Sequence, residues 1–321
     1  MFTFTHARNL CALVLSLSLS SLSYGYTQLF SFGDSLSDRG NVFAFSGGTN
    51  PPSPYFNGQF SNGDVWTGLL AAQLGVTSSP SLLGGTNHAW GGARTCYAVD
   101  PDGIVGEPGC GVGSGVPSTE QQVQDYIDAV GAGNLDSGAL YTIWTGGNDI
   151  NGALGGDTTA DYLGAAETVE DIAQNLISNG AVHILVNNLP NLGLVPGIPA
   201  GFEFVAEGFT LNFNSALAAG LANVIGGNIM LLDAYDLTNQ IAADPGAYGL
   251  TNVDDNCLAT AYAGPGTCDG HLFWDDLHPT AAGHILIADA AYAQVIPVPA
   301  ALPLLLSALL GLGAAKRARE A

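Results

Sequence analysis

Two short segments near opposite ends of the chain carry side chains that could perform nucleophilic catalysis together. Ser35 follows an apolar run, residues 29–32, on a glycine-containing turn where a serine would be exposed. A serine hydroxyl is a weak nucleophile without a base within hydrogen-bonding reach. His278 could be that base, oriented by Asp275, because residues three apart at a tight turn can face the same way. The pattern predicts a Ser–His–Asp triad, although Ser35 alone would equally suit a helix-capping turn.

The other candidate acids and bases lack this spacing. Asp276 is one position out of phase with His278 and is expected to be structural, with a metal site on Asp275 and Asp276 as the weaker alternative. Four histidines lack a carboxylate three residues before them and are expected to be structural or on the surface: His88, His183, His271 and His284.

Acyl transfer at a serine also requires hydrogen-bond donors for the oxyanion. Asn148, shortly after the apolar run 140–144, offers a side-chain amide. Gly91 and Gly92 offer main-chain N–H groups that a substrate can approach closely, because glycine has no side chain. Taken singly, each segment would be a glycine turn. Together with the serine and histidine segments, they indicate an enzyme that forms an acyl-enzyme.

An alternation of strands and helices must position these residues. The predicted strands are short, apolar and closely followed by turn-forming residues: 29–32, 140–144, 182–186 and 229–232. The predicted helices are residues 65–74, 118–130, 160–179, 204–224 and 280–292. This order predicts a three-layer α/β/α sandwich with a mainly parallel central sheet and an active site at the carboxyl ends of the strands. Residues 47–63 and 95–117 are expected to be long loops over that edge.

Four segments between residues 33 and 278 resemble, in order, the motifs of the SGNH/GDSL hydrolases. They are Gly33-Asp34-Ser35-Leu36, Gly91-Gly92, Gly147-Asn148-Asp149 and Asp275-x-x-His278. Residues 58–66 and 188–193 are similar to the bacterial branch of lysophospholipases, haemolysins and cholinesterase-like proteins. The resemblance implies a flavodoxin-like α/β/α fold and esterase or lipase activity. No Gly-x-Ser-x-Gly motif surrounds Ser35, which argues against an α/β-hydrolase.

The resemblance also implies a role for each matching residue. His278 acts as general base and then as general acid, Asp275 orients it, and Ser35 is the nucleophile. The implied oxyanion donors are the N–H of Ser35, the N–H of Gly92 (or that of Gly91) and the side-chain amide of Asn148. Such a set needs no cofactor.

The sequence departs from the family pattern at two positions. Arg39 stands where many relatives have a small polar residue, and Gln59 stands where arginine is frequent. Arg39 is expected to pair with a nearby carboxylate, and the alternative is a site biased toward anionic substrates.

The motifs together predict a secreted serine esterase or lipase. Its substrate would be a carboxylic ester, whether a short-chain ester, a lipid or an O-acetyl group on a glycan. The alternative is a non-catalytic protein of the extracellular matrix or cell surface that keeps the fold as a binding module.

Charge excludes one class of partner. The chain has 28 Asp and Glu but only six Lys and Arg, and between residues 26 and 296 the only basic residues of these types are Arg39 and Arg94. A body this negative repels the phosphates of nucleic acids and of anionic lipids. A nucleic acid is therefore not expected as a partner. The motifs indicate an ester substrate as the partner, and the protein is expected to be a monomer.

Both ends of the chain are typical of processed segments. Residues 1–25 have a basic start, an apolar run and a small-residue end, as a signal peptide does. Residues 297–321 hold a Pro-Val-Pro motif, an apolar run and a basic end, and they resemble PEP-CTERM sorting signals. The expected hydrolase domain is then residues 26–296. The two segments imply signal peptidase and an exosortase-type protease as partners. They also imply transient anchoring in the inner membrane of a Gram-negative bacterium by a C-terminal transmembrane helix, followed by a location at the cell surface or outside the cell.

Four cysteines remain after residue 25: Cys96, Cys110, Cys257 and Cys268. Four cysteines in an exported protein predict two disulfides, and pairing within each short segment is the simplest of the three connectivities. A zinc site is the alternative, but no Cys-x-x-Cys or paired-histidine spacing supports it.

Overall fold

The centre of the fold is the parallel sheet that the sequence predicts. The computed structural model describes residues 25–96, 115–157 and 160–296. The strands lie in the order β1 (Leu29–Gly33), β2 (Leu140–Trp144), β3 (His183–Asn187) and β4 (Asn228–Leu232), each parallel to the next. All residues of β1 and β2 are buried, as expected for strands covered by helices on both faces. The four predicted strands are confirmed, with ends that agree to within one residue.

Helices cover both faces of this sheet. In chain order they are α1 (Asn41–Phe45), α2 (Trp66–Leu74), α3 (Thr119–Val130), α4 (Gly147–Leu154), α5 (Tyr162–Ser178), α6 (Glu203–Leu221), α7 (Ala234–Ala243), α8 (Cys257–Thr260) and α9 (Ala281–Val295). The helix α3 packs against β1 and α5, and α5 packs against α6. Because consecutive strands are neighbours, right-handed crossovers place α3, α5 and α6 on one face. The helices α2 and α9 pack together on the other face, which completes the predicted three-layer α/β/α sandwich.

Short and polar elements are the ones that the sequence did not predict. The five predicted helices correspond to α2, α3, α5, α6 and α9. The helices α1, α4, α7 and α8 were not predicted. None of these four is longer than ten residues, too short for a clear hydrophobic period. A second parallel pair, β5 (Asn252–Asn256) and β6 (His271–Phe273), was also missed. The strand β5 reads Asn-Val-Asp-Asp-Asn and is partly exposed, so it has no apolar run.

One of the two expected disulfides is seen beside this second pair of strands. Cys257 and Cys268 are bonded, with their Cα atoms 5.9 Å apart, and both are buried against Trp274. The other expected pair includes Cys110, which lies outside the described residues. The bond that is seen links the segment after β5 to the segment before β6.

The prediction of a transmembrane helix, and of transient membrane anchoring by it, is corrected by the structure. Within the described ranges, no helix is long and apolar enough to cross a membrane. Spanning a bilayer takes about 20 consecutive apolar residues. The longest described helix, α6, has 19 residues but carries Glu203 and Glu207 and packs against α5. The proposed sorting tail, residues 297–321, lies outside the described part of the chain, as do residues 1–24.

His88 has a structural role: its ring packs within a group of aromatic side chains from β1 and α3. Its ring centroid lies 5.2 Å from that of Phe32, 5.0 Å from that of Tyr126 and 6.4 Å from that of Phe30. Burial lowers the pKa of His88 to about 4, from an ordinary value of 6.5. The imidazole is therefore neutral in the folded protein at neutral pH.

Replacing His88 with phenylalanine should make the protein less sensitive to acid. Because the pKa of His88 is lower when folded than when unfolded, the unfolded chain takes up a proton first as the pH falls below about 6.5. The native protein then loses up to about 1.4 kcal/mol of stability per pH unit down to about pH 4, and His88→Phe does not. Urea unfolding at pH 7.5, 6 and 5 measures this. A difference in unfolding free energy between the two proteins that stays constant over this range would contradict the prediction.

Candidate active site

Ser35 lies on a tight turn at the carboxyl end of β1. The N–H of Asp34 donates to the carbonyl of Trp144 at 3.3 Å, and the Asp34 side chain accepts the N–H of Leu36 at 3.0 Å. Gly33 makes the approach to β2 possible: its φ is +144°, and a Cβ at this position would lie 2.0 Å from the Trp144 carbonyl oxygen. The turn places Ser35 at the sheet edge with only 5% of its surface exposed.

His278 and Asp275 lie on one compact turn just after β6. The Oδ1 atom of Asp275 accepts the N–H groups of Leu277 and His278 at 2.8 and 2.7 Å. The His278 Nδ1 atom is 2.8 Å from Asp275 Oδ2 and 3.0 Å from Oδ1. The three-residue spacing therefore brings the carboxylate against the imidazole, because the chain turns back through these hydrogen bonds.

The same imidazole reaches the serine from the other end of the chain. His278 Nε2 lies 2.8 Å from Ser35 Oγ, although the two residues are 243 positions apart. Asp276, by contrast, accepts a hydrogen bond from the Asn256 side chain at 2.7 Å and takes no part in this chain of contacts. The structure thus brings Ser35, His278 and Asp275 into one hydrogen-bonded line, in the geometry of a nucleophile, a base and an orienting acid.

Burial and hydrogen bonding set the charges of the two nearby carboxyl groups. Burial by itself would raise the pKa of Asp275, but the hydrogen bonds and charge of His278, with the Tyr55 hydroxyl, lower it to about 2. Asp275 is therefore ionised at neutral pH. Burial raises the pKa of Asp34 to about 7, although the N–H of Leu36 partly offsets this effect.

Three candidate oxyanion donors lie at this sheet edge. The Asn148 side-chain nitrogen donates one hydrogen to the carbonyl of Ala93 at 2.8 Å, which orients the amide and leaves its second hydrogen for another acceptor. The N–H of Gly91 is already donated to Asp38 at 2.9 Å. The N–H groups of Ser35 and Gly92 have no acceptor among the described residues.

Comparisons with known proteins agree with this geometry. Residues 29–291 match the family model described as GDSL-like Lipase/Acylhydrolase. The chain belongs to this family. It is therefore a hydrolase that acts on ester bonds, and the alternative of a non-catalytic binding module falls away.

Several curated proteins resemble this GDSL hydrolase over most of its length. The phosphatidylcholine-sterol acyltransferase of Aeromonas hydrophila is 26% identical over an alignment of 315 positions, and the aligned region covers 83% of this chain and 89% of the relative. Esterase EstA of Pseudomonas aeruginosa is 31% identical over an alignment of 306 positions, and the aligned region covers 84% of this chain but 46% of the relative. This chain therefore spans about half the length of that esterase. Among solved structures, an acetylxylan esterase from Geobacillus stearothermophilus aligns with 85% of this chain and 96% of its own, at 13% identity and a TM-score of 0.44.

A mostly apolar cavity opens beside Ser35. The free space in and around it is about 820 Å³, a figure that includes open solvent at its mouth. It lies between the segment after β3, the helix α7 and the helix α9. Its apolar lining includes Leu36, Leu189, Val195, Leu237, Ile241 and Ile287, and its polar lining includes Asn148, Asn151, Asn191 and Thr238. Sequence reasoning missed this cavity, because α7 was not predicted.

Arg39 is engaged in a structural ion pair. Its guanidinium donates to both carboxylate oxygens of Asp64, at 2.6 and 2.8 Å, and to the carbonyl of Ser78. The expectation that Arg39 pairs with a nearby carboxylate is therefore confirmed. Gln59, the other departure from the family pattern, is buried and accepts the N–H of Val65 at 2.9 Å.

Two aromatic residues at the triad were also missed. The Tyr55 hydroxyl donates to Asp275 Oδ2 at 2.7 Å, and the Phe60 ring centroid lies 5.3 Å from that of His278. Both belong to the loop 47–63, which was expected to lie over this edge of the sheet. The available signal was the segment 58–66, which resembles family members: Phe60 lies within it and Tyr55 lies three residues before it.

The alternative of a metal site on Asp275 and Asp276 finds no support. Within the described residues, no group of three or more His, Cys, Asp or Glu side chains is placed to hold a metal ion. Both oxygens of Asp275 instead accept hydrogen bonds from the triad turn and from Tyr55.

Proposed function

We propose that this enzyme hydrolyses carboxylic esters through an acyl-enzyme on Ser35. The observation that carries the proposal is the 2.8 Å contact between Ser35 Oγ and His278 Nε2, with Asp275 on the opposite ring nitrogen. His278 accepts the serine proton as Oγ attacks the carbonyl carbon, and then donates it to the departing alcohol. Water attacks the resulting acyl-enzyme with His278 again as base, which releases the acid and restores Ser35.

The oxyanion of each tetrahedral intermediate is held by the N–H groups of Ser35 and Gly92 and by the second amide hydrogen of Asn148. Gly92 is preferred over Gly91 because the N–H of Gly91 is already donated to Asp38. Preformed donors of this kind stabilise charge as it develops, without reorganisation at the moment of reaction.

The apolar cavity beside Ser35 is suited to bind the acyl chain of the ester, and its lining favours an aliphatic chain. Along α7 its lining extends from Ala234 to Ile241, which is about 10 Å at 1.5 Å per residue. An acetyl group would leave most of this apolar surface empty, whereas a longer acyl chain would bury against it. We therefore propose a fatty acyl ester, such as a lipid, over a glycan O-acetyl group. The triad and the cavity come from one chain, which supports action as a monomer.

The hydrolysis of p-nitrophenyl esters, from acetate to palmitate, tests this proposal with the full-length chain. We expect kcat/KM to rise from acetate to medium or long chains. Replacing Leu237 with tryptophan should narrow the cavity and lower kcat/KM at least about tenfold for long chains, with the smallest change for acetate. Gln240→Trp is the matched control, because Gln240 is on the same helix but is exposed and outside the cavity lining.

Two outcomes would count against the proposal. If wild type prefers acetate and Leu237→Trp leaves the chain-length profile unchanged, the cavity does not bind the acyl chain. If no ester in the series is hydrolysed, the proposed reaction itself is contradicted.

A further inference from the structure

The loop that carries Tyr55 is tied directly to the segment that carries His278. The Ser61 hydroxyl donates to the carbonyl of Pro279 at 2.9 Å, and the Asn62 side chain accepts the N–H of Ala281 at 2.7 Å. These bonds join residues more than 200 positions apart, immediately after the histidine. The loop and the triad turn are therefore held in a defined relative position.

Tyr55 supplies the one hydrogen bond to Asp275 that comes from outside the triad turn, among the residues that the structure describes. Oδ1 of Asp275 is held by the two main-chain N–H groups of its own turn. Oδ2 faces His278 Nδ1 at 2.8 Å and accepts the Tyr55 hydroxyl at 2.7 Å. The oxygen closest to the imidazole is thus fixed by the tyrosine and not by the turn.

We propose that Tyr55 is a positioning residue for the reaction, which holds the Asp275 carboxylate in the orientation that His278 requires. This inference rests on the proposed serine mechanism and deepens it. A carboxylate without this bond would keep its Oδ1 contacts but leave a partly buried Oδ2 lone pair without a donor. Its Oδ2 atom would also be freer to move relative to the imidazole, and small displacements at a reacting centre are costly.

The hydroxyl remains protonated and so remains a donor. Burial, followed by the hydrogen bond to Asp275 and the charge of that carboxylate, raises the pKa of Tyr55 above its ordinary value of 10.0. Other ionisable groups act on this site as well: Asp276 on Tyr55, and Asp34 and the buried His284 through their interaction with His278. All three are retained when only the tyrosine hydroxyl is removed.

A second tyrosine provides a matched control. Tyr55 and Tyr262 both pack edge-on against Trp274, with ring centroids 5.8 and 5.1 Å away and interplanar angles of 89° and 88°. The Tyr262 hydroxyl makes no hydrogen bond to the other residues that the structure describes. Changing either tyrosine to phenylalanine keeps the ring against Trp274, and only the Tyr55 change removes a bond to Asp275.

The experiment compares full-length wild type, Tyr55→Phe and Tyr262→Phe on a p-nitrophenyl ester that wild type hydrolyses. We expect Tyr55→Phe to lower kcat about tenfold with KM nearly unchanged, the size expected for the loss of a hydrogen bond to a charged group. We also expect the acid limb of its kcat/KM–pH profile to move to higher pH. A carboxylate that has lost one donor attracts the proton on the imidazole more strongly. Tyr262→Phe should match wild type in kcat and in the pH profile.

The outcomes distinguish a failure of the Tyr55 inference from a failure of the proposed function. Equal kcat and equal pH profiles for the two variants would overturn the role of Tyr55, while wild-type activity would leave the serine mechanism standing. If both variants lose kcat and fall equally in thermal midpoint, while the acid limb of the pH profile does not move, the tyrosine has a packing role only. That result would also overturn the inference. Wild type that hydrolyses no ester would instead contradict the proposed function.

Discussion

Ser35→Ala is expected to lower kcat/KM for ester hydrolysis by at least about 10³-fold, with the fold unchanged. Without Oγ, His278 has no hydroxyl to deprotonate, and no acyl-enzyme can form. The residual rate would come from oxyanion donors and substrate binding alone. Steady-state kinetics on the best p-nitrophenyl ester measures the loss, and a fluorophosphonate that reacts with activated serines should label wild type but not Ser35→Ala.

Ser31→Ala is the matched control for this change. Ser31 lies on β1, the strand that leads into the Ser35 turn. It is fully buried, and its hydroxyl has no hydrogen-bond partner among the described residues. Removing that hydroxyl should leave both labelling and kcat/KM close to wild type, because nothing is left unpaired. Hydrolysis by Ser35→Ala at the wild-type rate, or labelling of Ser35→Ala, would rule out Ser35 as the nucleophile.

Gly33→Ala is expected to destabilise the protein by at least about 4 kcal/mol, enough to prevent folding of many domains. Its φ of +144° is a conformation that side-chain-bearing residues rarely adopt, and a Cβ would lie 2.0 Å from the Trp144 carbonyl oxygen. That oxygen cannot move away easily, because it belongs to the buried strand β2 and accepts the N–H of Asp34. The N–H and the carbonyl of Gly33 are both bound to the Gln122 side chain at 2.9 Å, which prevents relief from the other side.

Gly75→Ala separates the effect of the clash from that of the backbone conformation. Gly75 follows α2 with a φ of +73°, and a Cβ there would meet nothing within 4 Å. We expect this variant to lose only about 1–2 kcal/mol, from the left-handed backbone alone. Denaturant unfolding, with far-ultraviolet circular dichroism for Gly33→Ala, compares the two. Equal losses at both positions would show that the contact between β1 and β2 is not what requires glycine at residue 33.

The fold was predictable from sequence where burial leaves a local pattern. The strands β1 and β2 are buried throughout and β3 is buried except at its first residue, so each is a short apolar run that ends at turn-forming residues. The edge strand β4 is only partly buried, but Ile229–Leu232 still forms an apolar run. The helices α3 and α5 bury one face and expose the other, which leaves a clear helical period. The strand β5 and the short helices were missed because they are polar, exposed or too short to show a period.

The site residues that were predicted are likewise the ones that leave a local pattern in the sequence. Asp275 and His278 were found because the turn between them is closed by its own hydrogen bonds, so their spacing alone brings them together. Ser35 was found because a serine on a glycine turn after a buried strand lies at the carboxyl edge of the sheet. A transmembrane helix was predicted from an apolar run at the end of the chain. The structure corrects this prediction, since no helix of the described residues is long and apolar enough to span a membrane.

The sequence by itself determined the family, the central sheet and the residues of the Ser–His–Asp line. The tertiary structure decided which side chains from distant segments meet at that line. Tyr55 lies 220 positions from Asp275, and the N–H of Gly91 is donated to Asp38, 53 positions away, which is why Gly92 is the proposed oxyanion donor. The physical reason is that periodicity reports the burial of a single element. Contacts between elements instead depend on how their surfaces pack, and no local pattern records that packing.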